Sequence, residues 1–205
     1  GFASASKRED DVIENLDIRA MVFLTSHNNH ARQVISALKN HKAVYCEKPL
    51  ALHPDEIDEI ESLLKEADTP LLTVGYNRRF APMALELTQF IQSRSEPVFI
   101  QYRVNAGFLP ITHWLHDPDQ GGGRIIGEGC HFIDFLTFLV GAPPTAISAV
   151  GLPDHEKYHQ DNVLMTLNYP DGSVGTISYL ANGNKNSSKE RVEVFTGGRI
   201  AVLDD

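Results

Sequence analysis

Glu47-Lys48-Pro49 is a run in which residue types and order could do chemistry. A lysine can take a proton from a reacting hydroxyl or return it, the adjacent carboxylate tempers that exchange, and the proline fixes the backbone of the turn. The competing reading is a surface lysine in a β-to-loop turn. His131, with Asp134 three residues on, offers a second acid–base group, although the same pair on an apolar helix also serves as a satisfied structural histidine. His27 with His30, and His113 with His116, have helix-like spacing that could bracket a metal. No cysteine or carboxylate cluster completes either pair, so no metal is expected. Trp114 can stack on a sugar ring or pack a domain junction, and Arg124 can meet an anionic substrate group or stay an exposed loop arginine. Cys46 and Cys130 each adjoin a candidate residue, but without an arranged base they read as packing.

These residues need elements to position them. Up to about residue 93, short β-rich apolar runs alternate with longer amphipathic stretches, the pattern of βα units around a parallel sheet. The expected order is a short acidic helix over 9–15, a strand over 20–25, a helix capped at Asn28 and running to 40, a strand over 43–46, a Pro54-led helix to about Ala67, a strand over 71–75 and a helix over 82–93. From residue 98 the period changes to two, giving antiparallel candidates at 98–104, 145–150, 163–169, 173–180, 191–195 and 199–203. Tyr169-Pro-Asp-Gly-Ser173 and Thr196-Gly-Gly-Arg199 supply the glycine that hairpin turns need. An apolar helix over 127–141 lies among these strands, and 182–189 reads as a mobile loop. The expected fold is α/β followed by α+β: the second half of a Rossmann doubly wound sheet over 1–96, then an open antiparallel β-sheet domain with a helix on one face over 97–205.

Composition limits the partners. The chain has 205 residues with 27 acidic against 18 basic, a formal charge of −9 that would repel a phosphate backbone, so nucleic acid is not expected. No stretch approaches the roughly 18 apolar residues of a membrane span. Two cysteines and no basic–apolar leader point to a reduced, cytoplasmic protein. The sequence opens on Gly1 and closes just after an apolar run, which reads as two cuts within a longer polypeptide. No Gly-x-Gly-x-x-Gly follows a strand, since Gly121-Gly-Gly123 lies in a loop. The pyrophosphate cradle is therefore not encoded here, and this chain alone should bind a dinucleotide poorly or not at all.

Three segments in order, Thr25-Ser-His-Asn-Asn-His30, Val44-Tyr-Cys-Glu-Lys-Pro-Leu-Ala51 and Val74-Gly-Tyr-Asn-Arg-Arg-Phe80, resemble the Gfo/Idh/MocA oxidoreductases, and Gly121-Gly-Gly-Arg-Ile-Ile-Gly-Glu-Gly-Cys-His131-Phe-Ile-Asp134 adds a fourth. The resemblance covers essentially the whole chain. It implies hydride transfer between NAD or NADP and a sugar or polyol carbon, with Lys48 assisting proton transfer, Glu47 and Pro49 holding it, Thr25, His27 and His30 beside the cofactor, and Asn77 and Arg78 towards the nicotinamide and the substrate. It also implies that His131 contacts the reacting hydroxyl. The family's aspartate in Asp-x-Gly-x-His does not match, because Gly127 stands there, and adjacent Glu128 is the carboxylate that could replace it. A homo-oligomer built through the open sheet is implied as well. The alternative is a non-catalytic sugar- or partner-binding protein that keeps the fold without the reaction.

Overall fold

The computed structural model describes residues 4–66, 68 and 70–204. The chain forms two compact units, one of residues up to Gly75 together with Asp119–Gly122, the other of Tyr76–Pro118 together with Gly123 onward. This division falls before the expected boundary at 96, because the helix after Gly75 packs with the later strands. The expected helix end at Ala67 and the outer limits at Gly1 and Asp205 lie outside the described residues.

In the first unit, β1 (Ala20–Phe23), β2 (Ala43–Cys46) and β3 (Leu72–Val74) form a parallel sheet in the order β1-β2-β3. Phe23 lies opposite Cys46, and Cys46 opposite Val74, so all three strands end level. Around them run α1 (Asp10–Ile13), α2 (His27–Lys39) and α3 (Pro54–Leu64). Ala31, Val34, Ala37 and Leu38 repeat at helical spacing and bury one stripe of α2 against Phe23, Val44, Cys46 and Ile60. Fully burying a side chain such as Val34 or Ile60 contributes roughly 1.5–3 kcal/mol. The start of α3 is fixed by Glu56, whose Oε2 accepts from Leu52 N at 2.9 Å and His53 N at 3.0 Å. Lys42 is buried, its Nζ donating to the Asn15 and Ile18 carbonyls at 2.7 Å each, which ties the segment after α1 to the entrance of β2.

In the second unit, a short 3-10 helix at Asn77–Phe80 leads into α4 (Pro82–Gln92), and α5 (Cys130–Val140) lies between β4 (Phe99–Asn105) and β5 (Ala146–Gly151) in sequence. With β6 (Asn162–Asn168), β7 (Val174–Leu180), β8 (Glu190–Thr196) and β9 (Arg199–Asp204), the sheet order is β5-β6-β7-β4-β8-β9. The open sheet is present as expected, but it is mixed: β4 pairs with β7 in parallel and with β8 antiparallel. β7 and β8 run in opposite directions and flank β4 instead of each other, so a strand inserted between them must be parallel to one. The expected hairpins close β6–β7, with Tyr169 N donating to Ser173 O and Gly172 at φ +85°, and β8–β9, with Gly197 and Gly198 at positive φ.

One face of this sheet is the core. Ile100, Tyr102, Val104, Ile177, Tyr179, Val192 and Val194 pack against Phe132, Phe135, Leu136 and Leu139 of α5 and against Ala84, Leu87 and Ile91 of α4. Two helices cover the face where one was expected, since α4 joins this unit. Gly175 allows α5 its close approach: a Cβ there would stand 2.5 Å from Leu136 Cδ2. The expected single helix over 127–141 begins instead as a π-helical turn, Ile125–Gly129, and becomes α-helical at Cys130. Glycines at 127 and 129 weaken regular helix in that stretch, and such wider turns recur at functional sites.

Candidate active site

In the first unit the candidates gather at the carboxyl ends of the parallel strands, where ligands bind in open α/β sheets. Thr25 follows β1, and its hydroxyl donates to Gln33 Oε1 at 2.6 Å. Glu47, Lys48 and Pro49 follow β2, and the Lys48–Pro49 bond is cis. Glu47 and Lys48 are half-buried, and Pro49 is buried. Tyr45 hydroxyl donates to Glu47 Oε1 at 3.2 Å, and burial followed by the charge of Glu47 pushes the phenol above its ordinary range. Gly75, at the end of β3, makes room for this pair, since a Cβ there would lie 2.8 Å from Tyr45 Oη and 2.9 Å from Glu47 Oε1. His30 is not at the surface. It is 1% exposed, with Nδ1 2.7 Å from Pro49 O and Nε2 3.0 Å from Thr25 O. His27 is half-buried, and its Nδ1 lies 3.0 Å from the carbonyl oxygen of Gly121, in the short later segment that joins this unit. Cys46 is fully buried, its thiol pushed up to about 12, mainly by burial and then by Glu47, so it stays a packing thiol as expected.

In the second unit the candidates lie on and around α5. His131 is buried in its first turn and meets the Tyr76 ring edge-on at 6.1 Å between centroids. Glu128, on the π-helical turn, accepts from Arg124 Nη2 at 3.1 Å and from the buried Tyr179 hydroxyl. Burial and then the Glu128 carboxylate drive the Tyr179 phenol strongly upward, so it remains a donor. Arg124 has partners other than the expected anionic substrate. It is 5% exposed, donates to Gly107 O at 2.7 Å, lies 3.6 Å from the fully buried Asp161 carboxylate and stacks over Tyr179 at 5.3 Å. Arg78 also turns inward: Nε and Nη2 both bind the Glu190 carboxylate, at 3.2 and 2.5 Å, and the guanidinium lies 4.8 Å over the ring of Phe132, the residue after His131. Tyr102 hydroxyl donates to the same carboxylate at 2.5 Å. Asn77 is exposed, and Trp114 is 44% exposed in a short 3-10 helix, its ring beside that of His113.

Sequence reading missed Gln33, Tyr45, Tyr102, Tyr179 and Glu190. Tyr45 and Gln33 lie within eight residues of their partners, where a motif extended by a few positions would reach them, whereas Glu190 is 112 residues from Arg78 and leaves no local signal. Among the described residues no three His, Cys, Asp or Glu side chains are grouped to hold a metal, and no helix is long and apolar enough to cross a membrane.

Both units have counterparts among known proteins. Residues 3–76 match an oxidoreductase family model described as an NAD-binding Rossmann fold, and residues 95–200 match the GFO/IDH/MocA C-terminal domain. The chain is 27% identical to myo-inositol 2-dehydrogenase of Thermotoga maritima over 98% of its length and 61% of the relative's, and 27% identical to trans-1,2-dihydrobenzene-1,2-diol dehydrogenase of Mus musculus over 85% and 53%. The crystal structure of a "probable dehydrogenase" from Thermotoga maritima superimposes with a TM-score of 0.80 at 25% identity, over 97% of this chain and 60% of that one. The chain thus spans less than two thirds of the proteins it matches. A Rossmann-type first unit and a mixed-sheet second unit, each matched by its own domain model in the same order, make this chain a member of the GFO/IDH/MocA oxidoreductase family.

Proposed function

We propose that this chain is part of an NAD(P)-dependent oxidoreductase that interconverts a hydroxyl and a carbonyl on a sugar, an inositol or a related polyol. The observation that carries the reading is the placement of Glu47-Lys48-Pro49 at the end of the central strand β2, with its neighbouring loops tied to it through His30 and Gly75. When bound, the nicotinamide supplies the hydride acceptor or donor. Lys48 takes the hydroxyl proton as the carbonyl forms and returns it in the reverse direction, with Glu47 and Pro49 holding it in place. His131 is the second acid–base group, and Glu128, kept in place by Arg124 and Tyr179, is the carboxylate three residues before it where the family motif has lost its aspartate to Gly127. Thr25, His27 and Asn77 line the cofactor side, and Trp114 offers an aromatic face to a sugar ring. Arg78 and Arg124, paired with Glu190, Glu128 and main-chain carbonyls, brace these groups. The same reading includes a homo-oligomer seated on the sheet's outer face, where Phe99, Ile200 and Val202 are exposed.

The test is to join this chain to the parts of Thermotoga maritima myo-inositol 2-dehydrogenase that it does not cover and titrate the hybrid with NADH and NADPH, following nicotinamide fluorescence. Saturable binding and reduction of NAD or NADP by myo-inositol or another polyol are expected. A folded hybrid that binds neither nucleotide overturns the reading. The loss of the motif aspartate at Gly127 favours a second reading, a polyol-binding protein without turnover, which predicts polyol binding with no nicotinamide reduction.

A further inference from the structure

We propose that His30 is a positioning residue: its imidazole, set between a main-chain carbonyl of the loop after β1 and one of the Lys48-bearing loop after β2, fastens the one loop to the other. His30 sits in the first turn of α2, 1% exposed. Its Nδ1 is 2.7 Å from Pro49 O, one residue beyond Lys48, and its Nε2 is 3.0 Å from Thr25 O, two residues beyond the end of β1. The strand ladder already joins these segments further back, where Glu47 N donates to Phe23 O at 3.0 Å. His30 is a side-chain link past the point where the ladder stops.

Both partners are carbonyl oxygens, which accept and never donate. A ring N–H therefore donates to one of them, and the ring, 1% exposed, fills the space between the two loops, an arrangement of the kind that orients functional groups without touching the ligand. The His27 ring stands 5.9 Å away and has its own partner in Gly121 O, so it does not substitute for His30. The effect on Lys48 rests on the proton-transfer role proposed above, while the bridge itself does not.

Two measurements on the 205-residue chain test this without any cofactor. In ¹⁵N-histidine-labelled protein, the His30 ring, identified by its loss in His30→Gln, should show a slowly exchanging ring N–H proton. A ring proton that exchanges at once with solvent overturns the link. Acetylation of lysines by acetic anhydride, read peptide by peptide, should then show Lys48 modified severalfold faster in His30→Leu, with the exposed Lys65 unchanged, and restored near the parent rate in His30→Gln, which keeps an N–H donor. A His30→Leu chain with a parental melting profile and a parental Lys48 rate overturns the positioning role. If the leucine variant does not fold, the ring-nitrogen signature and the glutamine rate decide alone. Failure of the joined chain to bind NADH would leave both results standing and would count only against the oxidoreductase reading.

Discussion

In the first unit polar side chains reach main chain and near neighbours: His30 to the carbonyls of Thr25 and Pro49, Lys42 to those of Asn15 and Ile18, Glu56 to the amides that open α3, Thr25 to Gln33. In the second they reach charged side chains far along the sequence: Arg78 to Glu190 across 112 residues, Arg79 to Asp134 across 55, Tyr179 to Glu128 across 51. Main-chain anchoring fixes where loops lie at the strand ends, as a parallel sheet with ligands at its carboxyl edge requires. Long-range charge pairing instead fixes how α5 and the 3-10 helix at Asn77–Phe80 sit on the open sheet. The two units should therefore fail in different ways when perturbed.

The largest effect is expected from Arg78→Met. Losing one partner of a largely buried, bidentate pair leaves Glu190 with its desolvation uncompensated, and a cost of about 2–3 kcal/mol is expected given that both side chains keep some exposure. Trp114, the single tryptophan of the chain, lies in the second unit and reports its unfolding in urea, while hydrogen exchange across α2 and β2 reports the first. An equal loss of protection in α2 and β2 would break the comparison. The same pair carries a pH signature. Burial raises the Glu190 carboxyl, but the hydrogen bonds from Arg78 and Tyr102 and the Arg78 charge outweigh it, leaving the group below the usual 4.5. A depressed folded-state value means that the stabilisation is fully present above the unfolded value and disappears as pH falls through the folded one. Urea midpoints by Trp114 fluorescence should therefore decline below about pH 4.5, and in Glu190→Gln the acid slope should be shallower from a lower starting point.

Lys42→Met should cost less, about 1–2 kcal/mol, because the Asn15 and Ile18 carbonyls it serves belong to a loop that water can reach once the ammonium is gone. Faster hydrogen exchange confined to residues 13–20 and β2, with the Trp114 transition unmoved, is the expected result. A shifted Trp114 transition would mean that the main-chain anchors of the first unit also support the second.

This contrast also governs how much could be read beforehand. Strand and helix positions in both units follow from period and turn residues, so β2 and the hairpin at Tyr169–Ser173 lie where the sequence places them, while α2 begins at His27 after Ser26 and takes in Asn28, the expected cap. Glu47-Lys48-Pro49 was legible because its meaning is local: a strand ends, and three residues follow. The parallel β4–β7 ladder was not, since nothing in a strand's alternation says which strand will be inserted beside it. The inward turn of Arg78 and Arg124 was equally hidden, because an arginine in a loop carries no mark of a carboxylate more than thirty residues away, such as Glu190 or Asp161. The π-helical start before α5 depended on glycines whose spacing suits helix and turn alike.

The smallest effect falls on the pair beside Lys48, and it sharpens the comparison most. Tyr45→Phe removes one hydrogen bond of 3.2 Å to a half-buried carboxylate, expected to cost about 0.5 kcal/mol. Gly75→Ala places a methyl 2.8 Å from that hydroxyl oxygen and 2.9 Å from Glu47 Oε1, both ends of side chains that can swing aside, so it should part the same two groups by crowding. If the placement of Glu47 depends on this one contact, the two substitutions remove the same thing, and the double variant should cost little more than the costlier single one. If their costs in urea unfolding simply add, Tyr45 and Gly75 act independently and the strand-end cluster is not a unit. Because the contact joins neighbours in one sheet, the second unit should not register it, and the Trp114 transition of all three variants should coincide with that of the parent.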